Sequence, residues 1–524
     1  MSRSSLATVL AGSTPVIYEV LIVYGPFAAS ALSTGAFRPQ VLGHTLMQRF
    51  VVDSLEQSLL QGVLSSIAAL AMGYPVGIVL GLLSFRGRAA YTSAILLPFM
   101  LPSVAVAAGF LLGYPANSPL QGLSHGLSGI IAVNALFNSP LVALFTSAKL
   151  SAGSGEVVQA ARTSGASLLE VVRRIIVPST LGAAGGGAFF AFVYSFLGFV
   201  IPLTIGGPSH YTSEVAIYTY QRILFSPATA TALAIIQILP VVAISLAILP
   251  GKTRLTPDFR TANSSAPWPA SSKRARLCAS LFLLAYLVFE DYPLFAVVIS
   301  ALANDGRGFA LLFQPATAER LGVSVNRVAI NSITFATLAS GVTFFLSVGA
   351  VHYMLGNARQ ERSRLYNLAL VLPVAVSPVT IGLAIYLALS GFAVFDLVWP
   401  TIVFAQCAVA LPVSLRFLSN GLEPLPKNLA SASALLGAGK LSTLLEVELP
   451  SARGALVSSV VIAFAIGIGE FAATSVLYTP AYTTIPLAIY ALLGLRLFRA
   501  AAALAAMLIF ITVGAYFLIL RFSD

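Results

Sequence analysis

Few residues in this chain have the type and setting for chemistry. Glu470, in AIGIGEFAATS, stands inside an apolar run. A carboxylate there is costly and faces either a cavity or a partner. It reads equally well as a contact on a solute pathway and as a structural acid hydrogen-bonded to neighbouring helices. The surrounding GIGEFA (467–472) fits a loose G-x-G-x-x-A nucleotide fingerprint, but no soluble strand precedes it. GAGKLS (437–442) has the outline of a phosphate loop. Leu441, however, stands where Ser or Thr must hold Mg²⁺, and the upstream glycine is missing. Cys278, Cys407 and four scattered histidines offer no metal-ligand spacing. Glu19, Glu290 and Asp291 fall nearer the ends of apolar runs, where solvated interfacial positions suit them. These readings leave no catalytic residue, no metal site and no nucleotide site within the chain.

The elements that must position such residues are membrane helices. Of 524 residues, 58% are hydrophobic and 9% charged, and the mean hydropathy is +0.91. Soluble domains carry about 25% charged residues, so a bilayer is the solvent this composition suits. Twelve apolar runs are expected to span it, near 14–34, 54–84, 90–113, 128–149, 177–205, 228–250, 277–302, 328–355, 366–391, 398–419, 451–478 and 498–521. Such lengths cross about 30 Å of hydrocarbon as helix. Alternating strand patterns are absent, so a barrel is not expected. The N-terminus has no clear signal-peptide pattern, and its first apolar run reads as a retained helix. Residues 251–276 (GKTRLTPDFRTANSSAPWPASSKRAR), rich in Pro, Ser and charge, read as a linker between repeats 1–250 and 277–524. The formal charge of +11 could suggest nucleic acid, but the basic residues sit in short loops. With both termini and the linker in the cytoplasm, 21 of the 29 Lys and Arg fall inside, as the positive-inside rule requires. No nucleic-acid partner is expected, and membrane lipid is.

The halves repeat. A shift of 272 places Pro140 on Pro412, Gly165 on Gly437, Pro178 on Pro450, Phe199 on Phe471 and Ala216-Ile217-Tyr218 on Ala488-Ile489-Tyr490. Earlier segments align less cleanly; Asp53-Ser54 and Asn331-Ser332 are matched as openings of equivalent helices. Six spans per half, an even number, give both copies one orientation and a symmetry axis along the membrane normal. Gly73, Gly77 and Gly81, and the cluster Gly182 to Gly187, are expected to serve close helix packing. Pro75, Pro98, Pro102, Pro373 and Pro378 fall within spans and break helix hydrogen bonds there.

Two polar loops stand out against this background. Gln159 to Pro178 reads QAARTSGASLLEVVRRIIVP, and Ser431 to Pro450 reads SASALLGAGKLSTLLEVELP. Gly165 and Gly437 can take positive φ and reverse the chain between two short helices. The pattern resembles the EAA loop of binding-protein-dependent ABC importer permeases: Glu-Ala-Ala, three residues, Gly, nine residues, Ile-x-Leu-Pro. Gly165, Ile175 and Pro178 match it in the first copy, and Gly437, Leu449 and Pro450 in the second. The acid is replaced by Gln159 and Ser431, the leucine by Val177, and the isoleucine by Val447.

The resemblance implies an all-α polytopic membrane protein: two tandem six-helix repeats of the MetI-like type, about twelve transmembrane helices in all. It places ATPase coupling on loops 150–178 and 420–450, at Gln159, Ala160, Ala161, Gly165, Ala166 and Pro178, and at Ser431, Ala432, Gly437, Ala438 and Pro450. It implies two copies of an ABC ATPase carrying ATP and Mg²⁺, an extracytoplasmic solute-binding protein, and residence in the plasma or inner membrane. Two permease halves fused in one chain are similar to iron(III) and thiamine importer permeases. EFAAT around Glu470 is also similar to a segment of oxyanion permeases, so the solute class stays open. An ion-driven 6+6 secondary transporter is the rival: it explains twelve spans but not the paired glycine turns. A membrane-embedded enzyme would need a cluster of His, Asp or Glu at one depth.

Overall fold

The structure, a computed structural model, describes residues 12–83, 85, 87–115, 118–151, 155–248, 273–356, 366, 369–370, 376–389, 398–422, 429, 432–433, 435–439 and 442–523. Among them there are helices and connecting turns and no strand. Eight helices are long and apolar enough to cross a membrane, or ten if each of two bent pairs counts as one span. Several of the roughly twelve expected runs are bent pairs or shorter helices. The run near 90–113 is the pair Ala90–Met100 and Ser103–Gly113, bent by 94°, because Pro102 cannot donate to the helix ladder. The run near 451–478 begins in the pair Thr443–Ser451 and Arg453–Gly469, bent by 81°. The runs near 228–250 and 366–391 correspond to the shorter apolar helices Pro227–Ala243 and Pro378–Leu389. Most of the linker lies outside the described residues; its last four, 273–276, already belong to the helix Lys273–Leu312.

The compact units are not the two sequence halves. One comprises 49–216 and 239–300; the other comprises 1–48, 217–238 and 301–524. The first long helix of each repeat thus belongs to the unit built around the other repeat. Tyrosines hold each of these helices in place. In one unit, Tyr91 Oη donates to the Leu283 carbonyl at 2.7 Å, and Tyr286 Oη shares a 2.7 Å hydrogen bond with Ser139. In the other, Tyr18 donates to the Phe404 carbonyl and Tyr24 to the Ala369 carbonyl.

Each unit has a core of three long helices. In the first these are Arg49–Leu82, Gly126–Ser151 and Val177–Phe196; in the second, Val325–Gly356, Val398–Leu422 and Arg453–Gly469. Small residues bring the first triplet together. A Cβ on Gly77 would lie 2.6 Å from the Ala143 carbonyl oxygen, and one on Gly187 would lie 2.7 Å from Val142 Cα. In lipid, where no hydrophobic force drives helices together, such close approach supplies the dispersion contact.

The repeats meet the same junction with different residues. Ser414 replaces Val142, Ser459 replaces Gly187, and Ser347 replaces Gly73. Ser347 Oγ donates to Ser414 Oγ at 3.1 Å, and Ser414 and Ser459 hydroxyls pair at 2.7 Å. These pairings align the early helices by 274 residues. Two backbone caps agree: Ser58 Oγ accepts from Ser213 N at 2.7 Å, and Ser332 Oγ accepts from Ile485 N at 2.6 Å. The match of Ser54 with Ser332 is therefore corrected to Ser58 with Ser332. The error is four residues, about one helical turn, which leaves the same face of a helix in view.

Candidate functional site

In the first loop the helix Gly155–Thr163 carries Gln159, Ala160 and Ala161. Gly165 follows with φ +88°, and Ala166 N donates back to the Ala161 carbonyl at 3.0 Å. This six-to-one bond across a left-handed glycine is a Schellman stop. Ser167 starts the next helix: its N–H donates to Glu170 Oε2 at 2.9 Å, and its Oγ accepts from Glu170 N at 3.3 Å. That reciprocal pair is a capping box, legible as Ser-x-x-Glu but not noticed in the sequence. Leu168–Val171 then widens into a π-turn at Val172–Ile176 and continues into Val177–Phe196. Pro178 explains the widening, since its ring crowds the carbonyl four residues back. Arg173, Arg174 and Pro178 are exposed.

The second loop repeats this geometry. Gly437 has φ +86°, and Ala438 N donates to the Ser433 carbonyl at 3.1 Å. The π-turn Thr443–Glu448 precedes Pro450. Ala432 is exposed, whereas Ser431 and Lys440 lie outside the described residues. The Ser433 and Thr443 hydroxyls share a buried 2.6 Å hydrogen bond that closes the loop on itself.

Both loops are anchored at the helix ends. Val158, Val171 and Ile176 bury against Leu150, Ile78 and Leu82. Ala452 and Leu449 pack with Leu415, Leu418 and Leu422. The loop tips, by contrast, show apolar side chains: Leu169 is 75% exposed, and Leu435 and Leu436 are each 89% exposed. Leu435 and Leu436 lie outside the candidate spans and Leu169 at the first residue of Leu169–Phe196; apolar side chains so open mark a surface for a partner or for lipid.

Glu470 is buried at a helix break, between Arg453–Gly469 and Ala472–Leu477. Its Oε1 accepts from Ala473 N at 2.7 Å, and its Oε2 accepts from Thr474 N at 2.9 Å and from the Thr474 hydroxyl. Both oxygens are thus occupied by the first turn of the short helix. The first repeat breaks at the same place, at Leu197–Phe199, with Gly198 in the position of Glu470.

Three other acids depart from expectation. Glu19 and Glu290 are 0% exposed and Asp291 is 8% exposed; they lie within the helices Gly12–Ser33 and Arg276–Ala303, not in solvated interfaces. Hydropathy windows treat an acid as the edge of a span, but here packing within a unit encloses it. A buried polar network in the first unit also escaped the sequence reading. Gln61 Nε2 donates to the Ser195 carbonyl at 2.6 Å, Asn134 Nδ2 to Gln61 Oε1 at 3.0 Å, and Asn138 Nδ2 to the Asn134 carbonyl at 2.9 Å. Its signal was amides set deep in apolar runs. The second repeat has Phe335, Gln406, Ala410 and Gly467 at these positions.

Comparison with known proteins agrees with this architecture. Residues 73–255 and 353–522 match the model of the family "Binding-protein-dependent transport system inner membrane component". The thiamine transport system permease protein ThiP of Haemophilus influenzae is 23% identical over 508 residues, 92% of this chain and 90% of the relative. ThiP of Escherichia coli is 24% identical over 437 residues, 78% and 77% of the two chains. The spermidine/putrescine transport system permease protein PotC of Escherichia coli is 25% identical over 199 residues, 37% of this chain and 74% of the relative. With two matches that together cover more than half of its length, the chain belongs to the family of binding-protein-dependent transport system inner membrane components. It is a multi-pass plasma-membrane transport subunit of the ABC importer type.

Proposed function

We propose that this permease imports thiamine or a closely related small solute, driven by ATP hydrolysed on two separate ATPase subunits, one seated on each glycine-turn loop. The carrying observation is the pair of loops: the same turn, the same π-widening and the same proline close each repeat. The exposed Leu169, Leu435 and Leu436 suit an apolar cleft, since burying one such side chain contributes about 1.5–3 kcal/mol. The first loop adds the exposed cations Arg173 and Arg174, whereas the second carries Glu446 and Glu448. The two seats are therefore unlike.

Anchoring explains how a push would travel. Displacing a loop displaces the ends of Arg49–Leu82 and Gly126–Ser151, or of Val398–Leu422, because buried side chains join them. Stiff helices then alternate access, as repeats rocking around a central site do. Solute would arrive from an extracytoplasmic binding protein. Thiamine is favoured over iron(III) by the names of the near-full-length relatives. The capping bonds of Glu470 favour its structural reading. They fix the short helix after the break and give both oxygens protein partners.

Uptake of labelled thiamine by cells expressing the chain with its ATPase and binding protein tests this. Uptake that stops when ATP is depleted, and persists when the proton and sodium gradients are collapsed, is the expected result. The reverse pattern would establish the ion-driven transporter instead.

A further inference from the structure

We infer that the first repeat carries, at its extracytoplasmic end, a reception site for an organic cation. The placement rests on the cytoplasmic termini expected from the sequence and on the transport direction proposed above. A cavity of about 780 Å³ opens at the start of the Arg49–Leu82 helix, lined by Phe50, Asp53, Glu56, Gln57 and Tyr211 among others. That size suits a small organic solute. Two carboxylates line it, and no Lys or Arg is among its lining residues. Arg49 pairs with Asp53 at 3.7 Å, but both side chains are largely exposed, so the pair is weak. The Phe50 and Tyr211 rings stand edge to face with centroids 5.6 Å apart, which offers a ring face to a cation.

The second repeat uses the equivalent amide differently. Asn331, equivalent to Gln57, donates from Nδ2 to the Ala481 and Thr483 carbonyls, each at 3.0 Å. That bridge ties the helix Val325–Gly356 to the 481–483 turn in the second unit. Ser209 and Tyr211 are the equivalent residues in the first repeat. There Gln57 makes no such bridge: its Nε2 is buried with no hydrogen-bond partner. A buried amide donor without an acceptor is costly, and a ligand acceptor or water relieves it. Charge differs as well, because Asp53 is replaced by Arg327 in the second repeat. The first repeat thus has an acidic, aromatic cavity with a free amide donor, where the second has Arg327 in place of Asp53 and a bridged amide. A solute bearing fixed positive charge, a ring or methylene face, and a hydrogen-bond acceptor matches every group in the first.

The test uses the full transporter in sealed cells with Ser209→Cys in a Cys278→Ser, Cys407→Ala background. Membrane-impermeant cationic and anionic thiol reagents are applied from outside, their rates corrected for reactivity toward a free thiol. The cationic reagent should react roughly tenfold faster or more, the scale on which an acidic cleft concentrates cations. Asp53→Asn with Glu56→Gln should remove that preference, and saturating thiamine should slow the labelling. Equal or faster reaction of the anionic reagent, or no protection by either thiamine or spermidine, overturns the site. Protection by spermidine but not by thiamine upholds the site and refutes thiamine as the solute.

Discussion

Replacing both loop glycines by valine separates coupling from folding. At φ +88° and +86° an L-residue sits in the left-handed region, at roughly 1–2 kcal/mol for an ordinary side chain. A β-branched residue is a greater outlier there, so about 2–3 kcal/mol per turn is expected. Nothing lies within 4 Å of a Cβ built on either glycine, so backbone strain alone acts and no neighbour is pushed. About 2 kcal/mol shifts a local equilibrium some 30-fold. That is enough to open the Ala166–Ala161 and Ala438–Ser433 bonds that hold the turns. The spans keep their own hydrogen bonds and remain inserted. Gly165→Val with Gly437→Val should therefore yield stable membrane protein with ATP-driven uptake reduced several-fold, up to about 30-fold per turn where turn formation limits coupling. Gly165→Asn with Gly437→Asn, which tolerates positive φ, should retain most uptake. Uptake and co-purification with the ATPase are measured side by side. Full uptake by the double valine variant would refute coupling through these turns.

Three further outcomes follow from the geometry. Glu470→Gln sets an amide N–H₂ against the backbone donors of Ala473 or Thr474. It should lower stability by about 1–2 kcal/mol, with uptake falling only in step with folded protein in a thermal-shift and transport comparison; lost uptake at unchanged stability would restore a pathway role. Ser414→Val removes the shared partner of Ser347 and Ser459 and should cost about 2–3 kcal/mol in detergent unfolding. Adding Ser347→Gly and Ser459→Gly, which recreates the packing of Gly73, Val142 and Gly187, should recover at least half. Lys273→Cys should resist impermeant reagents in sealed cells and react after permeabilisation; external labelling would invert the topology.

Much of the architecture was legible because the bilayer constrains it: long apolar runs must be helices, and glycine and proline punctuate the loops between them. Gly165 and Gly437 could be read because positive φ is chemically selective. The exchange of the first helices could not, since nothing in adjacency along the chain says which unit a span joins. The burial of Glu19, Glu290 and Asp291 was hidden for the same reason. The one-turn slip at Ser54 had a different cause. A helix looks alike to itself after four residues, and only the cap bonds of Ser58 and Ser332 distinguish the registers.

Duplication also explains why the two repeats diverge where they do. The junction of three helices requires near contact of backbones, and two solutions fit it. Gly73, Val142 and Gly187 remove side chains and let the helices touch. Ser347, Ser414 and Ser459 keep small side chains and satisfy each hydroxyl within the junction, which hydrocarbon demands. Neither set works piecemeal: a lone valine among serines crowds them, and a lone serine among glycines loses its partners. The same logic holds at the second break, where Gly198 bends freely and Glu470 binds the helix that follows. At the three-helix junction, then, the repeats differ as complete sets, whereas in the buried amide network Gln406 is kept in the second repeat although Phe335, Ala410 and Gly467 replace the other members around its equivalent Asn134. At Gln57 an amide arm is likewise kept while the bridge that Asn331 makes in the second repeat is not, and the proposed ligand would supply the acceptor that its buried Nε2 lacks.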